Sequence, residues 1–139
     1  MEKIDMEYTM SDVCKQFHLS EYTLRYYDKI ELIPGIYRNE QNRRVFTEDA
    51  VGWLRFVIAL RSTGMPIADV KKYIELTTTT DNSTIQTRLT MLEDQATKID
   101  AQIADMQHQR QIIANKIKNY RQAMQHTPDK AKKSYQRWV

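Results

Sequence analysis

The chain has 139 residues, 41% of them apolar, and 21 Lys and Arg against 18 Asp and Glu, for a formal charge of +3. That is enough apolar material for one domain, or one domain with an elongated arm, and too much for a wholly disordered chain. Three Gly and three Pro are too few for an all-β protein built on tight turns or for phosphate-cradling loops, so a mainly α fold is expected.

Residues 1–76 read as short, capped helices. Thr9-Met10-Ser11-Asp12 has the S/T-x-x-D/E form that satisfies free amides at a helix start, and Val13, Cys14 and Phe17 follow as one apolar face. This predicts a helix of about two turns. Ser20 suits the N-cap of a second helix, Glu21 to about Lys29, in which Leu24 and Tyr27 sit three apart and face inward together. Only Phe17-His18-Leu19 separates the two, a connection typical of a helix-turn-helix whose second helix enters a major groove.

Ile36 to Phe46, β-compatible at its ends and polar at its centre, predicts a small hairpin or wing. Thr47 with Glu48 and Asp49 starts a third helix, running to about Thr63 ahead of Gly64, and Pro66 opens a fourth, to about Leu76. Val51, Trp53, Leu54, Phe56, Val57, Ile58 and Leu60 leave the third helix almost no polar face. A helix apolar all round must be covered from two sides, so a docked partner helix is expected on the second.

Residues 77–84, rich in Thr and Ser, form a polar linker. Beyond it Ile85, Leu89, Leu92, Ala96, Ile99, Ile103, Met106, Arg110, Ile113, Ile117, Tyr120 and Met124 keep an unbroken 4-3 spacing, eleven of the 12 apolar, over 40 residues without Gly or Pro. At ~1.5 Å per residue this is a helix of roughly 60 Å, too long for the preceding domain to cover, so residues 85–124 are expected to pair with a second copy. Residues 85–108 sum to −2 and 109–124 to +4. Antiparallel pairing sets the acidic half of one chain beside the basic half of the other, and it gives Arg110 an acidic setting in the seam.

Residues 125–139 carry four basic groups, Lys130, Lys132, Lys133 and Arg137, against one acidic group, and read as a solvated basic tail. Residues 1–76 sum to −1, so nucleic-acid recognition there rests on local placement of cations and not on net charge. No apolar run approaches the ~18–20 residues of a bilayer span, and Met1-Glu2-Lys3-Ile4-Asp5 lacks a secretion layout; a soluble, cytoplasmic protein without a membrane partner is expected.

With these features in place the chain resembles the MerR family of transcription regulators. The resemblance is carried by Tyr8-Thr9-Met10-Ser11-Asp12-Val13, by Ser20-Glu21-Tyr22-Thr23-Leu24-Arg25-Tyr26-Tyr27-Asp28-Lys29, by Arg44 and Phe46 in the wing, and by Leu60-Arg61-Ser62-Thr63-Gly64. It implies a winged helix-turn-helix domain followed by a long antiparallel coiled-coil dimerisation helix. It also implies a homodimer that binds a pseudo-palindrome in promoter DNA and bends and untwists it, acting on RNA polymerase indirectly through the DNA.

The same resemblance assigns DNA contacts to Ser20, Tyr22, Thr23, Arg25, Tyr26 and Tyr27 on the second helix, to Arg44 in the wing and to Arg61 on the third helix. Arg38 and Arg43 join them on charge and position. Where the family usually has Gly-Tyr-Arg in the wing, this chain has Asn42-Arg43-Arg44, and Asn42 still tolerates a left-handed turn. The protein is similar in length to the branch that responds to aldehydes and thiol-reactive compounds, but Ala59 stands about where that branch has its cysteine.

Cys14 alone allows no internal disulfide and no thiolate metal cluster, and no metal or cofactor is expected. Cys14 with His18 at i+4 reads as a small buried hydrophobe beside a left-handed turn residue, ahead of a catalytic or metal-binding pair. Trp53, Phe56 and Tyr73 would line any small-molecule effector pocket, although packing against a partner's long helix is the favoured role. No enzymatic activity is expected. Two other readings share these features, an architectural DNA-binding protein of the excisionase type and a coiled-coil adaptor.

Overall fold

A computed structural model of the protein describes residues 6–78 and 82–125. The Thr9 hydroxyl accepts the Asp12 amide at 3.1 Å while the Asp12 carboxylate accepts the Thr9 amide at 3.1 Å. This capping box starts α1, Met10–Phe17. α1 ends at His18, which adopts the expected left-handed conformation with φ 55°. α2, Glu21–Lys29, starts as expected at Ser20, whose hydroxyl accepts the Thr23 amide at 3.1 Å. Its end is less regular for the residue type: Glu31 takes φ 59° and the Leu32 amide bonds the Tyr27 carbonyl at 2.9 Å, a reversal usually given to glycine.

The wing consists of β2, Ile36–Arg38, and β3, Arg44–Thr47, antiparallel with Ile36 opposite Phe46 and Arg38 opposite Arg44. Asn42 turns the chain at φ 60°, and the Asn39 side chain accepts the amides of Gln41 and Arg43. A third strand, β1 at Glu7–Thr9, pairs antiparallel with the other edge of β3 and sets Tyr8 opposite Phe46, giving the order β1-β3-β2. The sequence predicts only a helix cap there, because three residues have no period of their own and become a strand only where β3 offers them an edge.

α3, Glu48–Ser62, starts at Thr47, whose hydroxyl accepts the Ala50 amide at 3.1 Å and donates to the Gly35 carbonyl at 2.9 Å. Gly35 has φ 94°, and a Cβ there would lie 2.7 Å from Thr47 Oγ1 and 3.0 Å from the Ala50 nitrogen. No other residue type meets both demands. Past Thr63 and Gly64, α4 runs Ile67–Thr77 with Pro66 as its N-cap. These elements enclose one core in which Val13, Leu24, Leu32, Phe46, Leu54, Val57, Val70 and Ile74 are fully buried. Burial of each such side chain contributes roughly 1.5–3 kcal/mol relative to leaving it in water.

α5 is an unbroken helix of 39 residues, Ile85–Ala123. The chain divides into two compact units between Gln95 and Ala96. In the first unit Met91 and Leu92 pack against the core, and Gln95, only 5% exposed, donates from Nε2 to Thr63 Oγ1 at 3.0 Å. Leu92, placed by its spacing in the intermolecular stripe, thus finds contacts within its own chain. In the second unit Ile103, Met106, Ile113, Ile117 and Tyr120 stand exposed on one helix, and Met124, just past its end, is exposed as well. Thr79 to Asp81 of the linker and residues 126–139, which include the basic tail, lie outside the described residues.

Candidate nucleic-acid interface

The helix-turn-helix presents the first turns of α2 to solvent, because Leu24 is buried and Tyr27 packs against the core on the opposite face. Tyr22 is 81% exposed, and Arg25 and Tyr26 are exposed beside it. Ser20 donates its hydroxyl proton to Thr23 Oγ1 at 3.0 Å, so both candidate hydroxyls also hold the helix start. Arg25 Nη2 lies 2.6 Å from Glu21 Oε2, an exposed i,i+4 pair that orients the guanidinium at little energetic gain. Tyr27, assigned to the DNA face on resemblance, is the α2 candidate that packs inward, in keeping with its spacing from Leu24.

The wing brings its own cations to this face. Arg38 Nη1 donates to the Asn42 carbonyl at 2.9 Å, bracing the turn, and Arg43 is exposed. Arg44 is held more firmly: its Nε donates to Asp28 Oδ2 at 2.6 Å, with side-chain exposures of 18% and 27%. This pair ties the wing to the last turn of α2. The bond is made through Nε, and a guanidinium has two further nitrogens in a fork that suits a phosphate.

Tyr22, Arg25, Tyr26, Arg38 and Arg44 wall one hollow of about 520 Å³ together with Asp28 and Lys29. Beside it, Arg25, Arg38, Arg43 and Arg44 share a second hollow of about 540 Å³ with Met10 and Ser11 of α1. Four arginines therefore converge on one side of a domain whose residues 1–76 sum to −1. Lys29 and Asp28 are members of this face that the sequence does not single out, since a lone charge near the end of a helix usually marks only a solvated surface. Arg61 lines neither hollow; its Nη1 donates to the Met65 carbonyl at 2.8 Å, across the turn after α3.

Trp53, Phe56 and Tyr73 do come together, with ring centroids 6.3 Å apart for the first pair and 5.5 Å for the second. Such spacing is that of mutual aromatic packing. Cys14 is half-buried, and burial, followed by the negative charge of Glu21, raises its thiol above the ordinary value while Arg25 opposes the shift. A raised thiol is a poor nucleophile, in accord with a packing role. Tyr8 donates to Glu48 Oε1 at 2.8 Å and Tyr37 donates to Glu7, and these hydrogen bonds raise both phenols. No helix among the described residues is long and apolar enough to cross a membrane.

The chain matches two family descriptions, "MerR HTH family regulatory protein" over residues 8–77 and "MerR, DNA binding" over residues 51–116. An uncharacterized HTH-type transcriptional regulator of Haemophilus influenzae is 35% identical over 118 residues, covering 85% of this chain and 87% of that protein. The HTH-type transcriptional regulator AdhR of Bacillus subtilis is 32% identical over 90 residues, covering 65% and 64%. The fold is similar to the crystal structure of HiNmlR, a MerR family regulator lacking the sensor domain, bound to promoter DNA, with a TM-score of 0.78 and 34% identity over 86% of this chain and 89% of that one. A MerR family regulator from Bacillus thuringiensis gives a TM-score of 0.72 at 37% identity, covering 81% and 97%. The chain belongs to the MerR family of helix-turn-helix, DNA-binding transcriptional regulators.

Proposed function

We propose that two copies of the chain pair antiparallel through residues 85–124 and present two winged heads, residues 1–76, to the half-sites of a promoter pseudo-palindrome. Residues 77–84 link head to helix, and 125–139 form a basic tail. Ser20, Tyr22, Thr23, Arg25 and Tyr26 meet the major groove, with Tyr27 supporting them from the core side. Arg38, Arg43 and Arg44 in the wing and Arg61 on α3 take backbone phosphates. With grips at both ends the protein bends and untwists the DNA between them, and RNA polymerase responds to that altered shape and not to protein contact. It works in the cytoplasm without catalysis. Trp53, Phe56 and Tyr73 serve first as a docking surface for the partner's long helix, the place where a small-molecule effector would also enter.

One observation carries this reading: Ile85, Leu89, Ile103, Met106, Ile113, Ile117, Tyr120 and Met124 are exposed at coiled-coil spacing. Such a stripe is stable in water only when another apolar surface covers it. Light scattering at micromolar concentration is expected to return twice the 16.5 kDa of one chain; the mass of a single chain overturns the reading. For the DNA face, Arg25→Ala is expected to weaken binding and relax sequence preference, and Arg44→Ala to weaken binding and lower the slope of log affinity against log salt by about 1 for the phosphate no longer neutralised. Unchanged affinity and preference in the first, or an unchanged slope in the second, would remove that residue from the interface.

A further inference from the structure

Among the described residues, Asp28 is the one acidic residue of the hollow that Arg25, Lys29, Arg38 and Arg44 line with Tyr22 and Tyr26. On a face proposed for DNA such a group is out of place, since a carboxylate close to a phosphate repels it and costs affinity. Its geometry supplies a reason. Asp28 Oδ2 accepts from Arg44 Nε at 2.6 Å, across 16 residues of sequence, with side-chain exposures of 27% and 18%. We infer that Asp28 is a positioning residue: it aims the terminal nitrogens of Arg44 at a DNA phosphate, so that an acidic group strengthens binding to a polyanion.

Arg38 and Arg44 lie directly opposite each other on β2 and β3, and like charges in that position repel. Arg38 is turned to the Asn42 carbonyl, which its Nη1 reaches at 2.9 Å. Arg44 is turned instead to Asp28, whose negative charge offsets the repulsion and draws the guanidinium toward the last turn of α2. The bond engages Nε, and among the described residues the side chain of Arg44 has no other partner, so Nη1 and Nη2 stay free. A guanidinium gripped at one nitrogen keeps its remaining donors in one plane at a set angle, the arrangement that takes two phosphate oxygens. Without Asp28 the long side chain samples several rotamers, and that freedom is lost on binding at a cost in affinity.

This rests on the DNA-binding reading above, and the test separates the two. The probe is the duplex that the wild-type protein selects from a random pool, with affinity measured across a salt series. Asp28→Ala is expected to weaken binding by about fivefold or more although it removes a negative charge, and to lower the slope of log affinity against log salt by about 1, as Arg44→Ala does. In an Arg44→Ala background the same change is expected to cost nothing, because no guanidinium is left to aim. Asp28→Asn keeps an oxygen that accepts from Nε and should stay within about twofold of wild type. Should Asp28→Ala not fold, Arg44→Lys is read in the same assay: its ammonium keeps the charge and the pairing but has no fork, and the same loss of about fivefold is expected.

An Asp28→Ala variant that folds and binds as tightly as wild type, or more tightly, overturns the inference and leaves the DNA-binding reading intact, since Asp28 would then be only a repulsive charge. Equal losses in the wild-type and Arg44→Ala backgrounds overturn it as well, because Asp28 would then act through the general stability of the wing. So do an Asp28→Asn variant as weak as Asp28→Ala and an Arg44→Lys variant as tight as wild type. A wild type that selects no duplex overturns the proposed function itself.

Discussion

The head and the later part of α5 use the same apolar side chains to opposite ends. Val13, Leu24, Phe46 and Leu54 are sealed from water by the elements packed around them in one chain, whereas Ile103, Met106, Ile113 and Ile117 stand in it. A globular unit closes a core because its elements approach from several directions. A lone helix has no way to cover its own stripe. The head therefore contains the reasons for its own fold, and α5 beyond Gln95 leaves its apolar side chains exposed.

The largest effect that tests this contrast is at Phe46. Phe46→Ala is expected to cost about 3–5 kcal/mol in denaturant unfolding, because the cavity opens in a closed core. Ile113→Ala trims a smaller side chain that stands in water in the single chain, so head unfolding should change by less than about 0.5 kcal/mol while the proposed self-association weakens. Equal losses at both sites would erase the distinction.

Gly35→Ala sharpens the picture of the head. Its φ of 94° and the 2.7 Å approach of a Cβ to Thr47 Oγ1 predict a loss of about 2–3 kcal/mol, read as a lower thermal midpoint. Asp28→Ala comes next. It leaves Arg44, 18% exposed, without its 2.6 Å partner, and a partly buried pair of this kind predicts a loss of about 1–2 kcal/mol by the same measurement. No change there would mean that the wing is held by the sheet alone.

The smallest effect is at the start of α1 and depends on pH. The hydrogen bond from the Thr9 amide, then that from its hydroxyl, holds the Asp12 carboxyl below the ordinary carboxylate value. A folded-state value below the unfolded one means that the stabilisation is complete above about pH 4 and is lost as pH falls through the folded value. The stability gap between wild type and Asp12→Asn, followed by denaturant titration, is therefore expected to be constant near neutrality and to close in strong acid. A gap that widens on acidification would contradict the capping role.

Much of the head is legible from residues a few positions apart. Thr9 with Asp12, Ser20 with Thr23, and Thr47 with Ala50 each close a bond three residues long, and His18, Asn42 and Gly64 turn the chain where a left-handed residue is needed. The candidate DNA face is half legible. The exposed side of α2 and the basic wing follow from spacing and turn chemistry, but the Arg44–Asp28 bond joins residues 16 apart and nothing local announces it. Glu31 shows the same limit, since a glutamate at φ 59° goes against its own conformational preference and is held there by the backbone bonds of Glu31 and Leu32 to α2 and by the burial of Leu32 and Ile33 that follow.

By itself the sequence determined the caps, the helix order, the wing and the period of the long stripe, because each depends on bonds and side-chain spacing within one or two turns. Only the tertiary structure decided that β1 joins the sheet, that Asp28 holds the wing, and that Met91, Leu92 and Gln95 turn back onto the head. The physical reason is range. Strand edges, carboxylates and buried amides take whichever complementary group folding brings within about 3 Å, and for Gln95 that group lies 32 residues away.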